Sequence, residues 1–240
     1  MNQRPLDGHV GLVTGGGSGV GAAIARCLAD RGAELVLTGR REDRLRQLAG
    51  ETATATEIVP GDITAPGVPE RVVDRTLERF GRLDMVVHAA GLFEKRSIED
   101  TDDAFWHRIL EVNLRAVVSL TRVAWQHLRE SGGQVVLISS AAALQGFPDN
   151  TAYAASKGGM NAVGEVLREE ARPHGIRILT LCPAQIDTEL WDGMAPDSVR
   201  AQMMHSAGVG ELVAELVASD RSIDFGPISI QPPSNPWDSK

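Results

Sequence analysis

The chain has 240 residues, of which 42% are hydrophobic and 23% charged, and 24 Lys and Arg against 32 Asp and Glu give a net charge of −8. That length fits one sizeable domain with a buried core, and the acidic balance argues against nucleic acid or an anionic membrane as main partner. Cys27 and Cys182 form no metal-ligand or disulfide spacing, the polar start Met1 to Gly8 carries no signal-peptide pattern, and no apolar run approaches a membrane span, so a reducing cytoplasm is expected.

Short apolar, β-branched runs alternate with longer segments of helical period. Val10 to Thr14 reads as the first strand, and a glycine-rich turn leads into a helix from Gly19 to Asp30. Leu35 to Thr38 is the second strand, followed by a charged helix that Glu42 opens, and Glu57 to Pro60 is the third. A helix over Pro69 to Arg79 precedes the fourth strand, Met85 to Val87. One long helix is predicted over Asp102 to Glu130, a fifth strand over Val135 to Ser139, a second long helix over Tyr153 to Arg172 and a sixth strand over Arg177 to Cys182. A last helix, Gly210 to Ala218, leads to a terminal strand, Ile228 to Ile230, and a proline-rich irregular tail over 232–240. Runs such as Val135-Val136-Leu137-Ile138 are continuously apolar, which suits parallel strands covered on both faces. The pattern predicts a single α/β domain over 1–240, a doubly wound Rossmann-like sheet of seven mostly parallel strands, with ligands beyond the carboxyl ends of the strands.

Thr14-Gly15-Gly16-Gly17-Ser18-Gly19-Val20-Gly21 lies between the first strand and first helix, where glycines let backbone approach a pyrophosphate and the helix start favours its charge. The plainer reading is a flexible turn. The second strand ends in Gly39-Arg40-Arg41, without the carboxylate that usually meets a ribose 2′-hydroxyl. Guanidinium groups there suit a 2′-phosphate, so NADP(H) is favoured over NAD(H), unless these arginines only pair with Glu42 or Asp43.

Tyr153 and Lys157 stand at i and i+4, on one face of a helix. A neighbouring ammonium favours a phenolate, so this spacing suits a tyrosine that passes protons near neutral pH. Taken alone the pair would be a snorkelling surface pair. Ser140 adds a hydroxyl at the end of the fifth strand, on the ligand edge of such a sheet, where it can bond a reacting oxygen.

The spacing Thr-Gly-x-x-x-Gly-x-Gly with Ser140 … Tyr153-x-x-x-Lys157 resembles the compact branch of the short-chain dehydrogenase/reductase family, and the likeness spans nearly the whole chain. The resemblance implies Ser140 as substrate and oxyanion anchor, Tyr153 as acid/base, and Lys157 as the group that lowers the tyrosine's pKa and binds the nicotinamide ribose. Asn113 would be the fourth member, helping to hold a water in the proton relay; otherwise it is a solvated helical residue. Coenzyme contacts carry over to Gly15, Ser18, Gly19, Val20 and Gly21, to Arg40 and Arg41, and to Asp62 and Ile63 around the adenine, although Asp62 also reads as a turn residue. They carry over further to Ala89, Ala90 and Gly91, and to Pro183, Ile186 and Thr188 near the nicotinamide. Three positions depart from the family pattern: His88 replaces an asparagine that ties neighbouring strands, Ala184 replaces a common glycine, and the terminal strand lacks the usual Val-Asp-Gly-Gly ending.

Substrate loops are predicted over roughly 92–100, 141–152 and 184–208. Leu92, Phe93, Leu144, Gln145, Phe147, Leu190, Trp191 and Met194 would form a mostly apolar wall, although each could be core instead. The expectation is an NADPH-dependent carbonyl reductase or alcohol dehydrogenase of the CH–OH type, acting on a small-molecule apolar or aromatic ketone or aldehyde. The alternatives are oxidation of a hydroxy acid or alcohol with NAD(P), and a non-catalytic NADP-binding sensor or scaffold. The six histidines show no pairing at ligand spacing, so no metal is expected. The resemblance implies a homodimer or homotetramer through the two long helices, with Trp125 and His127 at an interface or in the core.

Overall fold

The computed structural model describes residues 4–237. Its main strands are β1 (Val10–Thr14), β2 (Glu34–Gly39), β3 (Thr56–Pro60), β4 (Met85–His88), β5 (Gln134–Ile138), β6 (Arg177–Pro183) and β9 (Ile228–Ile230). These seven form one parallel sheet in the order β3-β2-β1-β4-β5-β6-β9. A separate parallel pair, β7 (Ile186–Asp187) with β8 (Met204–His205), has no counterpart in the sequence pattern; two-residue strands carry no alternation to read.

Successive strand residues point to opposite faces, and both faces are buried. Val13, Leu35, Leu37, Met85 and Val87 pack with α1 (Gly19–Asp30), α2 (Glu42–Glu51) and α8 (Ser206–Ala218). Leu12, Val36, Val86, Val135 and Leu137 pack on the other face against α3 (Val68–Phe80), α5 (Ala116–Ser131) and α6 (Thr151–Ala171). The continuous apolar runs therefore mark strands with no solvent face.

The long helix expected over Asp102 to Glu130 is interrupted. It consists of α4 (Asp103–Leu110), a π-helical turn (Glu111–Arg115) and α5. The π turn contains Asn113, whose side chain is fully buried, so the solvated-helix alternative is wrong for it. The other corrections concern ends. Ser139 lies just beyond β5, α6 starts at Thr151 rather than Tyr153, Arg172 opens a 3-10 turn, and α8 begins at Ser206 rather than Gly210. A short helix, α7 (Asp197–Arg200), sits in the loop after β6. Trp125 packs against the α3–α5–α6 core, and His127 pairs with Glu130 at 3.4 Å on the same helix.

The chain order reverses between β1, which pairs with β2, and β4, which also pairs with β1. That switch point leaves a crevice beyond the carboxyl ends of β1 and β4. The tail is irregular as expected up to Trp237, and the last part of the tail predicted over 232–240, residues 238–240, lies outside the described residues.

Candidate active site

A cavity of about 690 Å³ opens at the switch point. At one end β1 stops at Thr14, whose hydroxyl accepts hydrogen bonds from the Ala89 and Ala90 amides at 3.1 Å and donates to the Val87 carbonyl at 3.3 Å. Gly15 has φ +66°, and a Cβ there would stand 2.8 Å from the Ala90 nitrogen. At Gly21 a Cβ would fall 2.4 Å from the Gly15 carbonyl oxygen. Glycine is thus required on steric grounds at both positions. Helix α1 starts at Gly19 without an acidic residue in its first turn. Its free N–H groups and dipole therefore face the cavity uncompensated, as a phosphate group requires. Gly15, Ser18, Gly19, Val20 and Gly21 all line the cavity, so the cradle fits the pyrophosphate of a dinucleotide.

Arg40, Arg41, Asp62 and Ile63 line the same end. Arg41 does not pair with Glu42 or Asp43; its Nη1 meets Glu189 Oε2 at 2.7 Å, across the mouth of the cavity. Asp62 accepts bonds from the Thr64 amide (2.9 Å) and hydroxyl (2.7 Å), which hold its carboxyl below the usual range, with Arg40 adding to the effect. It is both a turn aspartate and a cavity residue.

The expected catalytic set converges beyond β4 and β5. Ser140, Tyr153 and Lys157 line the cavity beside Ala89, Ala90 and Gly91. Ser140 caps a 3-10 turn, accepting the Ala142 amide at 3.1 Å. Burial pushes the Tyr153 phenol up, while its hydrogen bond with the Ser140 hydroxyl pulls it down. Lys157 lies over the Tyr153 ring at 5.8 Å, with Nζ donating to the Ile138 carbonyl at 2.8 Å. Burial lowers its pKa to about 8. Ser140 is thus the hydrogen-bond partner of the Tyr153 phenol, while the Lys157 ammonium donates to Ile138.

Asn113 does not line the cavity. Its Oδ1 accepts the Leu92 amide at 2.7 Å, and its Nδ2 donates to the Leu92 carbonyl (2.9 Å) and to Ser156 Oγ (3.0 Å). Ser156 Oγ in turn donates to the Tyr153 carbonyl at 2.7 Å. Asn113 therefore ties the loop after β4 to the helix that carries the tyrosine. His88 does not tie neighbouring strands either: it is hydrogen-bonded to Thr121 of α5 at 2.9 Å, and Thr14 makes the link between β1 and β4. Burial, followed by the Lys157 charge, lowers the His88 pKa to about 3 and keeps the ring neutral.

Pro183, Ile186 and Thr188 line the cavity from the sixth-strand side, and Ala184 donates its amide to Ile230 of β9 at 2.8 Å. Of the expected substrate wall, Leu92, Phe93, Phe147, Leu190 and Trp191 line the cavity; Leu144, Gln145 and Met194 do not, and Leu144 and Met194 are exposed. Lys95 and Glu189 lie in the expected substrate loops but outside the expected wall, the tail residues Asn235 and Trp237 lie outside both, and all four line the cavity. Phe93 meets the Tyr153 ring edge-on at 4.8 Å and Trp191 at 5.6 Å, and Trp191 meets Trp237 at 6.2 Å. A tryptophan in a proline-rich tail was the one available signal.

The family model for short chain dehydrogenases matches residues 9–198. The chain belongs to that family. Like its relatives, this short chain dehydrogenase is an oxidoreductase. It is 37% identical to the L-fucose dehydrogenase of Mus musculus over 189 residues, covering 78% of this chain and 69% of the relative. An uncharacterised oxidoreductase of Staphylococcus epidermidis is 25% identical over 93% of this chain and 96% of its own length. Among solved structures, a short chain dehydrogenase from Burkholderia cenocepacia in complex with NADP superposes with a TM-score of 0.87 at 32% identity, covering 95% of this chain and 98% of that one. An alcohol dehydrogenase from Thermococcus sibiricus, complexed with 5-hydroxy-NADP, gives 0.86 at 26% identity over 94% and 97%. Among the described residues no helix is long and apolar enough to cross a membrane, and no group of three His, Cys, Asp or Glu could hold a metal ion.

Proposed function

We propose that this short chain dehydrogenase binds NADP(H) in preference to NAD(H) and reduces an apolar or aromatic ketone or aldehyde to its alcohol. The reading is carried by one observation: Ser140, Tyr153 and Lys157 share a cavity with the glycine cradle and an aromatic wall. A nicotinamide coenzyme bound there supplies or accepts the hydride. The cradle from Gly15 to Gly21 holds its pyrophosphate, Arg40 its 2′-phosphate, Asp62 and Ile63 its adenine. Ala89, Ala90, Gly91, Pro183, Ile186 and Thr188 border its nicotinamide end.

Ser140 Oγ–H donates to the carbonyl oxygen and favours the negative charge that develops on it. Tyr153 Oη gives its proton to that oxygen as the alcohol forms. The Lys157 ammonium, protonated below its pKa of about 8, favours the phenolate left on Tyr153 and binds the ribose hydroxyls. Asn113 keeps this helix in register through Leu92 and Ser156. In the oxidative direction the same groups act in reverse.

The test is a fluorescence titration of NADPH beside NADH on the parent protein and on Arg40→Ala. The reading expects tighter NADPH binding and loss of most of that gap in the variant. Equal or tighter NADH binding contradicts the coenzyme preference, and failure of both to bind contradicts the proposed coenzyme site.

A second reading, oxidation of a sugar hemiacetal, draws on the L-fucose dehydrogenase relative and on two amides in the cavity wall, Asn150 and Gln185. Asn150 Oδ1 is buried and has no hydrogen-bond partner among the described residues. Turnover of L-fucose but of no aryl ketone would favour it. A homodimer or homotetramer through α4–α5 and α6 fits the exposed Val118 and Val166 on those helices.

A further inference from the structure

The two arginines that follow β2 are not in the same state. Arg40 makes no ion pair with a described carboxylate, and it acts on Asp62 only through space. Arg41 is held by Glu189, with 2.7 Å between Nη1 and Oε2, and Glu189 Oε1 also faces Arg44 Nη2 at 3.7 Å. Glu42, at the start of the same helix as Arg41, is engaged with Arg46 instead. The carboxylate on Arg41 thus comes from a loop 148 positions away in sequence. Arg40, Arg41 and Glu189 all line the coenzyme end of the cavity, next to Asp62 and Thr188.

We infer that Glu189 sets coenzyme specificity, by competing with the 2′-phosphate of NADP(H) for Arg41. The inference rests on the proposed coenzyme site. A phosphate beside Arg40 and Arg41 meets a carboxylate already bonded to one of the two guanidinium groups. Either Arg41 exchanges the carboxylate for the phosphate, and the 2.7 Å bond is lost, or two anions share one cation at close range. Both cost affinity, and both apply only to the phosphorylated coenzyme. NADH carries a 2′-hydroxyl there and leaves the Arg41–Glu189 pair intact. Glu189 therefore narrows the gap between the two coenzymes, and Arg40 alone reads the phosphate unopposed. Glu189 also opens the 3-10 turn Glu189–Trp191, which carries Trp191 of the substrate wall.

The test measures Kd for NADPH and for NADH in the parent protein, Glu189→Gln, Arg41→Ala and the double variant. The side chains are half-exposed, so the pair is solvent-screened and the effect is moderate. Glu189→Gln is expected to tighten NADPH by about fivefold and to move NADH by less than about twofold. In the Arg41→Ala background the same substitution is expected to change the NADPH constant by less than about twofold, because the contested cation is gone. Parallel changes for both coenzymes, no change for NADPH, or an undiminished effect without Arg41 would each overturn the inference. The ratio of the two constants in the parent protein tests the proposed preference separately. A parent that favours NADH would end that preference, yet a selective gain for NADPH in Glu189→Gln would still uphold the competition.

Discussion

The two edges of the sheet treat their buried polar groups in opposite ways. At the amino ends of the strands, Asp84 accepts the Val10 amide at 2.8 Å and two bonds from Arg82. Arg177, only 5% exposed, donates to Gln134 Oε1 and to the carbonyls of Leu216, Val217 and Asp220. Arg221 reaches the carbonyls of Gly132, Gly133 and Gly175. At the carboxyl ends, Tyr153 is pushed up by burial, Lys157 is pushed down by it, and Asn150 Oδ1 has no partner among the described residues. The named charges of the first edge are bonded within the chain, although His9 Nδ1 there has no partner among the described residues, while Tyr153, Lys157 and Asn150 at the second edge border the cavity. Stability and chemistry are thus divided between opposite edges of one sheet.

The sharpest way to break that division is Arg177→Ala. It strands Gln134 Oε1 and removes the bonds to the carbonyls of Leu216, Val217 and Asp220, and should cost about 3–5 kcal/mol in urea unfolding. Coenzyme binding by the fraction still folded should hardly change. A large loss of affinity in the folded fraction would mean that the edges are coupled.

Gly21→Ala is the converse. The added methyl would meet the Gly15 carbonyl oxygen at 2.4 Å and displace the cradle. Coenzyme affinity should fall by about tenfold or more, with a smaller loss of thermal stability, both measurable on one preparation. Unchanged binding would show that the cradle does not hold the pyrophosphate.

His88 gives a pH test. Its folded pKa is about 3 against an ordinary value of 6.5, so below pH 6.5 the unfolded chain takes up a proton that the folded chain refuses. Stability from this residue is complete above pH 6.5 and falls as pH drops toward 3. Urea midpoints across that window should decline less steeply in His88→Asn, and identical slopes would refute the buried neutral ring. A smaller effect is expected for Trp237→Ala, which opens the aromatic wall at its outer end. KM for an aryl ketone should rise by a few-fold, about 1 kcal/mol, with kcat nearly kept.

Much of this was legible in the sequence, for reasons that differ by element. Val10 to Thr14 is located to the residue, because a strand buried on both faces reads as an apolar run between polar turns; Ile228 to Ile230 is also located to the residue, with Ser229 exposed between two half-buried isoleucines. The glycine turn and the Ser140, Tyr153 and Lys157 spacing are local signals, and all three side chains reach one cavity. The π turn was not legible, since Asn113 is drawn inward by Leu92 and Ser156, contacts that helical period does not encode. Loop membership wrongly places Leu144, Gln145 and Met194 in the wall, because it does not say which way a loop side chain points. The Arg41–Glu189 pair and the return of Trp237 onto Trp191 depend on how distant loops meet, and neither has a sequence period.

The most direct test of the division between edges is the NADPH-dependent reduction of an aryl ketone panel by the parent protein and Tyr153→Phe, with NADPH affinity measured on both. The variant should bind NADPH as the parent does and lose about a thousandfold in kcat, within the range for removal of a general acid. A variant that keeps its rate within about tenfold would contradict the assignment of proton transfer to Tyr153 at the carboxyl edge of the sheet.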